Sequence, residues 1–125
     1  MRLIVLSIML ALIAYVASAH ELTPTYPELK PSYIDGVSVV NVTLFNRRED
    51  VQYYDIEVFD KDFNRIPFAA SERLVKVNYL ERKPLEVYIR DKDVPKATYI
   101  CTHSKIVKNQ TTSSFIASRI CSKIK

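Results

Sequence analysis

The side chains that could perform chemistry in this sequence are two cysteines, two histidines and one short acidic loop. Cys101, His103 and Cys121 offer three potential zinc ligands, but without a C-x-x-C pair they form a poor zinc pattern. Asp60 to Asn64 places oxygens at alternate positions, as a calcium loop does. It lacks the glycine at position 6 and the glutamate at position 12 of that motif, so we interpret it as a charged turn. The pattern predicts no metal site and no cofactor.

No catalytic constellation stands out around the remaining polar residues. His20 next to Glu21 could bind copper or nickel, but we expect it to lie at a frayed N-terminus. His103 faces Arg119 in the strand register derived below, and such basic surroundings do not suit a general base. The single glycine, Gly36, excludes glycine-rich nucleotide loops. We therefore predict that the protein is not an enzyme.

The N-terminal segment has the features of a secretory signal peptide. A positive residue, Arg2, precedes an apolar run from Leu3 to Val16, and Ala17-Ser18-Ala19 supplies a small-x-small cleavage pattern. The apolar run is short against the roughly 20 residues of a membrane-spanning helix, so a retained anchor is the less favoured alternative. We expect a signal peptide at 1–19, a mature domain at 20–125 and export to the periplasm or the extracellular space, without stable membrane insertion.

Export also bears on the cysteines and on the charge. In an oxidising compartment two cysteines usually pair, so we expect a disulfide between Cys101 and Cys121. Without Arg2, the mature chain keeps 17 of the 18 basic side chains against 14 acidic ones. This mild excess is spread along the chain and does not indicate nucleic-acid binding.

The mature chain is dominated by short runs in which apolar and polar residues alternate. This period of two, interrupted by turn-forming clusters, predicts about seven half-buried strands in an all-β fold, an immunoglobulin-like antiparallel β-sandwich. Pro24, Pro27 and Pro31 indicate an irregular, loosely paired first strand at a sheet edge. The residues expected in the core are Val40, Val42, Leu44, Tyr54, Ile56, Val58, Leu85, Val87 and Ile89.

The last two strands can be registered by assuming that the cysteines are bonded across an antiparallel pair. Opposed residues then sum to 222, and the hairpin folds near position 111, among turn-forming residues. One face carries isoleucines and is expected to face the core, whereas the cysteines lie on the outward face. A competing interpretation is that Ala97-Thr98-Tyr99-Ile100-Cys101 matches the A-x-Y-x-C of an immunoglobulin strand, whose cysteine points inward. The expected inward isoleucines include Ile116, Ile120 and Ile124, and the outward basic surface is Lys105, Arg119 and Lys123.

Two further surface features are readable from the sequence. Tyr53, Tyr54 and Tyr88 form either an exposed aromatic patch for a partner or cross-strand packing pairs. Asn41 and Asn109 begin glycosylation sequons, which have meaning only in a eukaryotic secretory route, and both are expected to be accessible.

Several of these runs together resemble a known family. Leu22-Thr23-Pro24, Val37 to Asn46, Tyr54 to Asp60 and Leu85 to Arg90 resemble the N-terminal immunoglobulin-like domain of periplasmic pilus-assembly chaperones. This PapD-like fold belongs to the superfamily that includes major sperm protein domains. The resemblance implies that an edge strand with alternating apolar residues is lent to a partner's sheet. Here that strand would be the last one, with Ile116, Ile120 and Ile124.

The resemblance also implies a basic pair that anchors the terminal carboxylate of a client. Lys30 and Arg119 lie in strands that roughly suit this role. Together these features predict an exported, non-enzymatic protein-binding module, a chaperone-like accessory to the assembly of a surface structure. The expected partner is another protein, such as an assembling surface or virion subunit. The alternatives are a structural or decoration subunit of a cell surface or virus particle, and a small secreted hydrolase or metal-binding protein.

Overall fold

The computed structural model describes residues 20–105 and 117–125. The predicted signal peptide at 1–19, Ile116 and Asn109 lie outside the described residues. Those residues form eight β-strands and no α-helix. The strands are β1 (Glu21–Thr23), β2 (Leu29–Pro31), β3 (Val37–Phe45), β4 (Tyr53–Phe59), β5 (Leu74–Lys76), β6 (Arg82–Arg90), β7 (Tyr99–Lys105) and β8 (Arg119–Lys123).

The strands form two antiparallel sheets, which confirms the predicted immunoglobulin-like sandwich. In the first sheet, β3 pairs with β6 along its whole length and with both β1 and β2 on its other side. The second sheet has the order β5-β4-β7-β8. The count exceeds the expected seven because the proline-rich first strand is broken into β1 and β2.

The core forms where the alternating apolar residues of the two sheets face each other. All nine residues expected in it are buried, and Val40, Leu44, Tyr54, Val87 and Ile89 have no exposed surface. Burying one such side chain contributes roughly 1.5–3 kcal/mol, so these positions fix which face of each strand points inward.

The acidic loop after β4 is a turn, as predicted. The Asp60 carboxylate accepts hydrogen bonds from the N–H groups of Asp62 and Asn64, each at 2.9 Å. These bonds, with that from the Asn64 backbone as the main cause, hold the pKa of Asp60 below its ordinary value. Its oxygens are therefore occupied by the turn itself.

Candidate functional site: the β7–β8 hairpin and its outer edge

The β7–β8 hairpin has the register expected from the cysteine positions. Cys101 pairs with Cys121, Thr102 with Ile120 and His103 with Arg119. The two cysteines form a disulfide, and their Cα atoms are 4.1 Å apart. The predicted bond between the last two strands is therefore confirmed.

The disulfide lies on the sheet face that points away from the main core. Ile100 belongs to the buried core cluster, whereas Cys101, the next residue, does not. Cys101 is nevertheless fully buried, beside its strand partners Glu57 and Cys121. The competing interpretation, in which this cysteine points into the core, is therefore wrong.

An ion pair on this outer face buries a carboxylate that the alternation pattern placed among the polar positions. Glu57 is only 3% exposed, and its Oε1 atom lies 2.9 Å from Nε of Arg119. A second contact joins Oε2 to Nη2 of Arg119 at 3.3 Å, and Arg65 approaches the same oxygen at 3.5 Å. A buried carboxylate needs such partners. The Arg119 guanidinium also lies 5.5 Å from the centre of the Phe59 ring.

The three residues of the predicted basic surface are differently placed. Lys123 is exposed and Lys105 is half-buried, whereas the Arg119 charge is matched by Glu57. Lys30 does not join Arg119. It lies on the outer side of the first sheet, opposite Val39, and Arg119 lies on the outer side of the second. The basic pair implied by the family resemblance is therefore not formed by these two residues.

His103 is half-buried and lies opposite Arg119, as its register predicted. Burial lowers the pKa of His103, and the positive charges of Arg119 and Lys105 lower it further. The neutral imidazole is therefore the favoured form at this position.

The prediction that His20 lies at a frayed terminus is wrong. His20 is 2% exposed, and its ring centre lies 4.6 Å from that of Tyr54. Its Nε2 atom lies 2.8 Å from Oγ1 and 3.2 Å from the carbonyl oxygen of Thr102. Since a carbonyl oxygen only accepts, Nε2 donates to it, and Nδ1 accepts from the Ser118 hydroxyl at 3.3 Å.

The buried surroundings of His20 also determine its protonation state. Burial is the main cause that lowers the pKa of His20, to about 4, and the Arg48 charge acts in the same direction. His20 is the residue that precedes β1, and its neutral ring is thus hydrogen-bonded to Thr102 of β7 and to Ser118. No local pattern indicates this contact, because Thr102 is 82 residues away along the chain.

The predicted aromatic patch is divided by the structure. Tyr54 is fully buried, and its hydroxyl donates to Oδ1 of Asn46 at 2.6 Å. Burial raises the pKa of Tyr54 to about 12. Tyr88 is half-buried and meets the exposed Tyr33 edge to face at 6.2 Å, and Tyr53 is half-buried on β4. Contact of Tyr53 and Tyr88 with a partner stays a prediction. Asn41, the described sequon residue, is exposed on β3 as expected.

The outer edge of β8 is only partly covered. Antiparallel pairs alternate between hydrogen-bonded pairs and closer non-bonded pairs with Cα atoms about 4.5 Å apart. The 4.1 Å separation at Cys101 and Cys121 identifies a non-bonded pair. The backbone groups of Cys121, and those of Arg119 two residues before it, therefore point away from β7.

The neighbouring residues of β8 agree with this assignment. Ser104 N–H donates to the Ser118 carbonyl at 2.9 Å, and Ile124 N–H donates to the Thr98 carbonyl at 2.8 Å. The even-numbered residues thus bond to the β7 side. On the outer side, the N–H groups of Lys123 and Lys125 donate to carbonyls of the segment between β1 and β2. Their acceptors are Thr25, at 3.0 Å, and Pro27, at 2.9 Å.

Arg119 and Cys121 differ from Lys123 and Lys125 on this edge. Within residues 20–105 and 117–125, no strand pairs with the outer side of β8, and the outward N–H groups of Arg119 and Cys121 donate to no loop carbonyl. Ile120 and Ile124, two of the residues predicted to contact a partner, are half-buried and pack against the core cluster. Their contact with a partner stays a prediction.

The described residues contain neither a cluster of metal-binding side chains nor a membrane-spanning helix. Residues 20–105 and 117–125 contain no group of three or more His, Cys, Asp or Glu side chains placed to hold a metal ion. No helix in this part of the chain is long and apolar enough to cross a membrane.

The fold is similar to that of periplasmic chaperones, in agreement with the family resemblance. The Escherichia coli chaperone DraB matches with a TM-score of 0.61 at 17% identity, covering 86% of this chain and 53% of the other. A chain from the Salmonella enterica complex of the SafA pilin with the SafB chaperone matches with a TM-score of 0.63 at 12% identity and the same coverages. The periplasmic chaperone SfaE matches with a TM-score of 0.51 at 13% identity, covering 86% of this chain and 56% of the other.

These similarities define an immunoglobulin-like chaperone fold. The chain spans about half the length of the solved structures it matches. No protein-family model matches the sequence, and no curated protein matches it either.

Proposed function

We propose that the protein is an exported, non-enzymatic, chaperone-like module that binds an extended segment of another protein along the outer edge of β8. The observation that carries this proposal is the position of β8 as the last strand of its sheet, with the outward N–H groups of Arg119 and Cys121 donating to no loop carbonyl within the described residues. A segment that adds as a new strand would accept these hydrogen bonds. The chaperone fold of the structural neighbours supports the same function.

The hairpin is built so that this edge keeps its shape when a partner binds. The disulfide joins the middle of β8 to β7, and the ion pair with Glu57 fixes Arg119. A binding edge that is already ordered loses less conformational entropy on association. The partner segment would place alternate apolar side chains beside Ile120 and Ile124, since successive side chains of a strand point to opposite faces.

The periplasm is the location that fits this function, because a disulfide persists in an oxidising compartment and SfaE is itself a periplasmic chaperone. The partner would then be a subunit of a structure assembled outside the cytoplasm. A structural subunit of such an assembly would use the same fold, but it would be found with the finished structure in a fixed ratio.

Two substitutions at Arg119 test the edge separately from the ion pair. Arg119→Pro removes the outward N–H and the charge, whereas Arg119→Gln removes only the charge. We expect the wild type and Arg119→Gln to capture the same protein from the exporting cell's envelope, identified by mass spectrometry. We expect Arg119→Pro to lose about tenfold or more of that capture, because strand addition depends on backbone hydrogen bonds.

The result that would contradict the proposal is equal capture by the two variants, with circular dichroism showing both to be folded. Recovery of the protein in a fixed ratio with an assembled particle, unaffected by Arg119→Pro, would instead identify a structural subunit.

A further inference from the structure

The turn between β5 and β6 presents an exposed leucine in a backbone conformation that leucine disfavours. Leu80 has φ 62° and is 58% exposed. It occupies the third position of a turn closed by a hydrogen bond from Glu81 N–H to the Asn78 carbonyl, at 3.0 Å. This position with positive φ normally favours glycine or asparagine, and the chain places its only glycine, Gly36, at φ 79°.

The other residue with a positive φ, among the described non-glycine residues, has a packing reason for it. Phe63 stacks on Tyr99 with ring centres 4.7 Å apart and planes 8° from parallel, and it also contacts Phe59. Leu80 is not among the side chains that pack against the core cluster. Its strained conformation therefore serves to hold an apolar side chain out in solvent, and such outliers cluster at functional sites.

Two backbone hydrogen bonds attach the turn to Asn46, the residue that follows β3. The Leu80 N–H donates to the Asn46 carbonyl at 2.7 Å, and the Asn46 N–H donates to the Glu81 carbonyl at 3.1 Å. Asn46 is fully buried, and its side-chain amide donates to the carbonyls of Val51 and Val77. The exposed side chains of Tyr79 and Leu80 are thus presented on a fixed support.

Two arginines close to this turn in the chain lie over the Phe45 ring, on the outer side of the first sheet. The Arg82 guanidinium lies 4.1 Å from the centre of the Phe45 ring, and that of Arg47 lies 5.9 Å from the same ring. Arg47 forms an ion pair with Glu21, whereas Arg82 has no carboxylate partner within residues 20–105 and 117–125. Tyrosine and arginine are the residues most enriched at the energetic centres of protein interfaces.

We propose that Phe45, Arg47, Tyr79, Leu80 and Arg82, called here the Leu80 surface, bind a carboxylate-bearing apolar segment of a second protein. An apolar side chain of that segment contacts Tyr79 and Leu80, and a carboxylate pairs with Arg82. Arg82, the cation of this surface without a carboxylate partner among the described residues, favours an acidic segment over a basic one. This surface is separate from the β8 edge, and it would give the protein a second partner contact.

The test uses the full mature protein and two pools of fluorescein-labelled decapeptides. Every peptide in the first pool combines two leucine or aromatic residues with four glutamates, and the second pool replaces the glutamates with lysines. We expect fluorescence anisotropy to show binding of the acidic pool and not of the basic pool. Leu80→Gly and Arg82→Gln are each expected to weaken that binding about tenfold.

Leu80→Gly separates binding from folding, because glycine adopts a positive φ without strain. We expect its melting temperature to equal or exceed that of the wild type while its affinity falls. Tyr33→Ser is the matched control, since Tyr33 is 86% exposed at the opposite end of β3. It is expected to leave affinity unchanged.

Two results would overturn the proposal. One is the absence of binding to the acidic pool at concentrations up to about 1 mM, the weak end of the affinity scale. The other is unchanged affinity in Leu80→Gly and Arg82→Gln.

Discussion

At the scale of single residues, buried polar side chains connect parts of the chain that are distant in sequence. His20 contacts Thr102 and Ser118, and Glu57 on β4 contacts Arg119 on β8 across the intervening strand β7. Burial removes the hydrogen bonds that each of these groups would make to water, and the partner replaces them. Their effect is to hold the N-terminal residues and the start of β8 against the same sheet.

The buried imidazole of His20 makes stability dependent on pH. In the unfolded chain its pKa returns to 6.5, whereas in the folded chain it is about 4. Between these values the unfolded state binds more protons, so the free energy of unfolding falls as the pH is lowered and is fully restored above about 6.5. The loss is on the order of 3 kcal/mol by pH 4, measurable by urea denaturation at several pH values.

Two variants separate this effect from other titrations. His20→Asn is expected to flatten the pH dependence between 6.5 and 4, at the cost of lower stability at neutral pH. His103→Gln is the control, because the pKa of His103 is also lowered but its ring is only half-buried. We expect His103→Gln to keep most of the pH dependence of the free energy of unfolding. A slope in His20→Asn equal to that of the wild type would exclude His20 as its source.

At the scale of elements, the β7–β8 hairpin is the part whose construction bears most directly on binding. Its register could be predicted from Cys101 and Cys121, because one covalent bond and one turn position fix an antiparallel pair. Which part of its outer edge is covered could not be predicted. The contacts of Lys123 and Lys125 with Thr25 and Pro27 depend on the path of a segment that is distant in sequence. The prolines of that segment indicated only an irregular edge.

Removing the disulfide tests how much the hairpin depends on it. The bond joins residues 20 apart in sequence, and closing a loop of this size contributes roughly 3 kcal/mol in the chain-entropy treatment. We expect the double variant Cys101→Ala/Cys121→Ala to lose about that much free energy of unfolding. Its urea midpoint is therefore lower than that of the wild type. Thiol titration of the wild type is expected to find no reactive thiol without denaturant and reductant.

Reduction of the wild type provides the control for the two alanine substitutions. The reduced protein and the double variant should lose similar stability, since both lack the same cross-link. Two reactive thiols in the native, exported protein would contradict the assigned bond.

At the scale of the whole molecule, the sandwich was predictable because its strands alternate apolar and polar residues. Val40, Val42 and Leu44 show this pattern, and all three are buried. The pattern failed where tertiary contacts reverse the usual placement of a residue type. Glu57 is buried on an outer face because Arg119 covers it, and Leu80 is exposed in a turn that would normally take glycine.

The candidate site was therefore only partly predictable. The residue types of β8 indicated a strand with one apolar face, and the family resemblance indicated an edge that pairs with a partner. Which backbone groups are available depends on the packing of the segment between β1 and β2, which no local pattern encodes. No local pattern indicated the Leu80 surface, because its residues come from two segments of the chain that are more than 30 residues apart.

We propose that a partner segment adds to the outer edge of β8. Amide hydrogen exchange, followed residue by residue by NMR with and without the captured partner, measures this most directly. We predict that the amides of Arg119 and Cys121 exchange at least about tenfold more slowly in the complex, because each gains a hydrogen bond there. Unchanged exchange at both amides, with protection appearing elsewhere on the molecule, would contradict the claim.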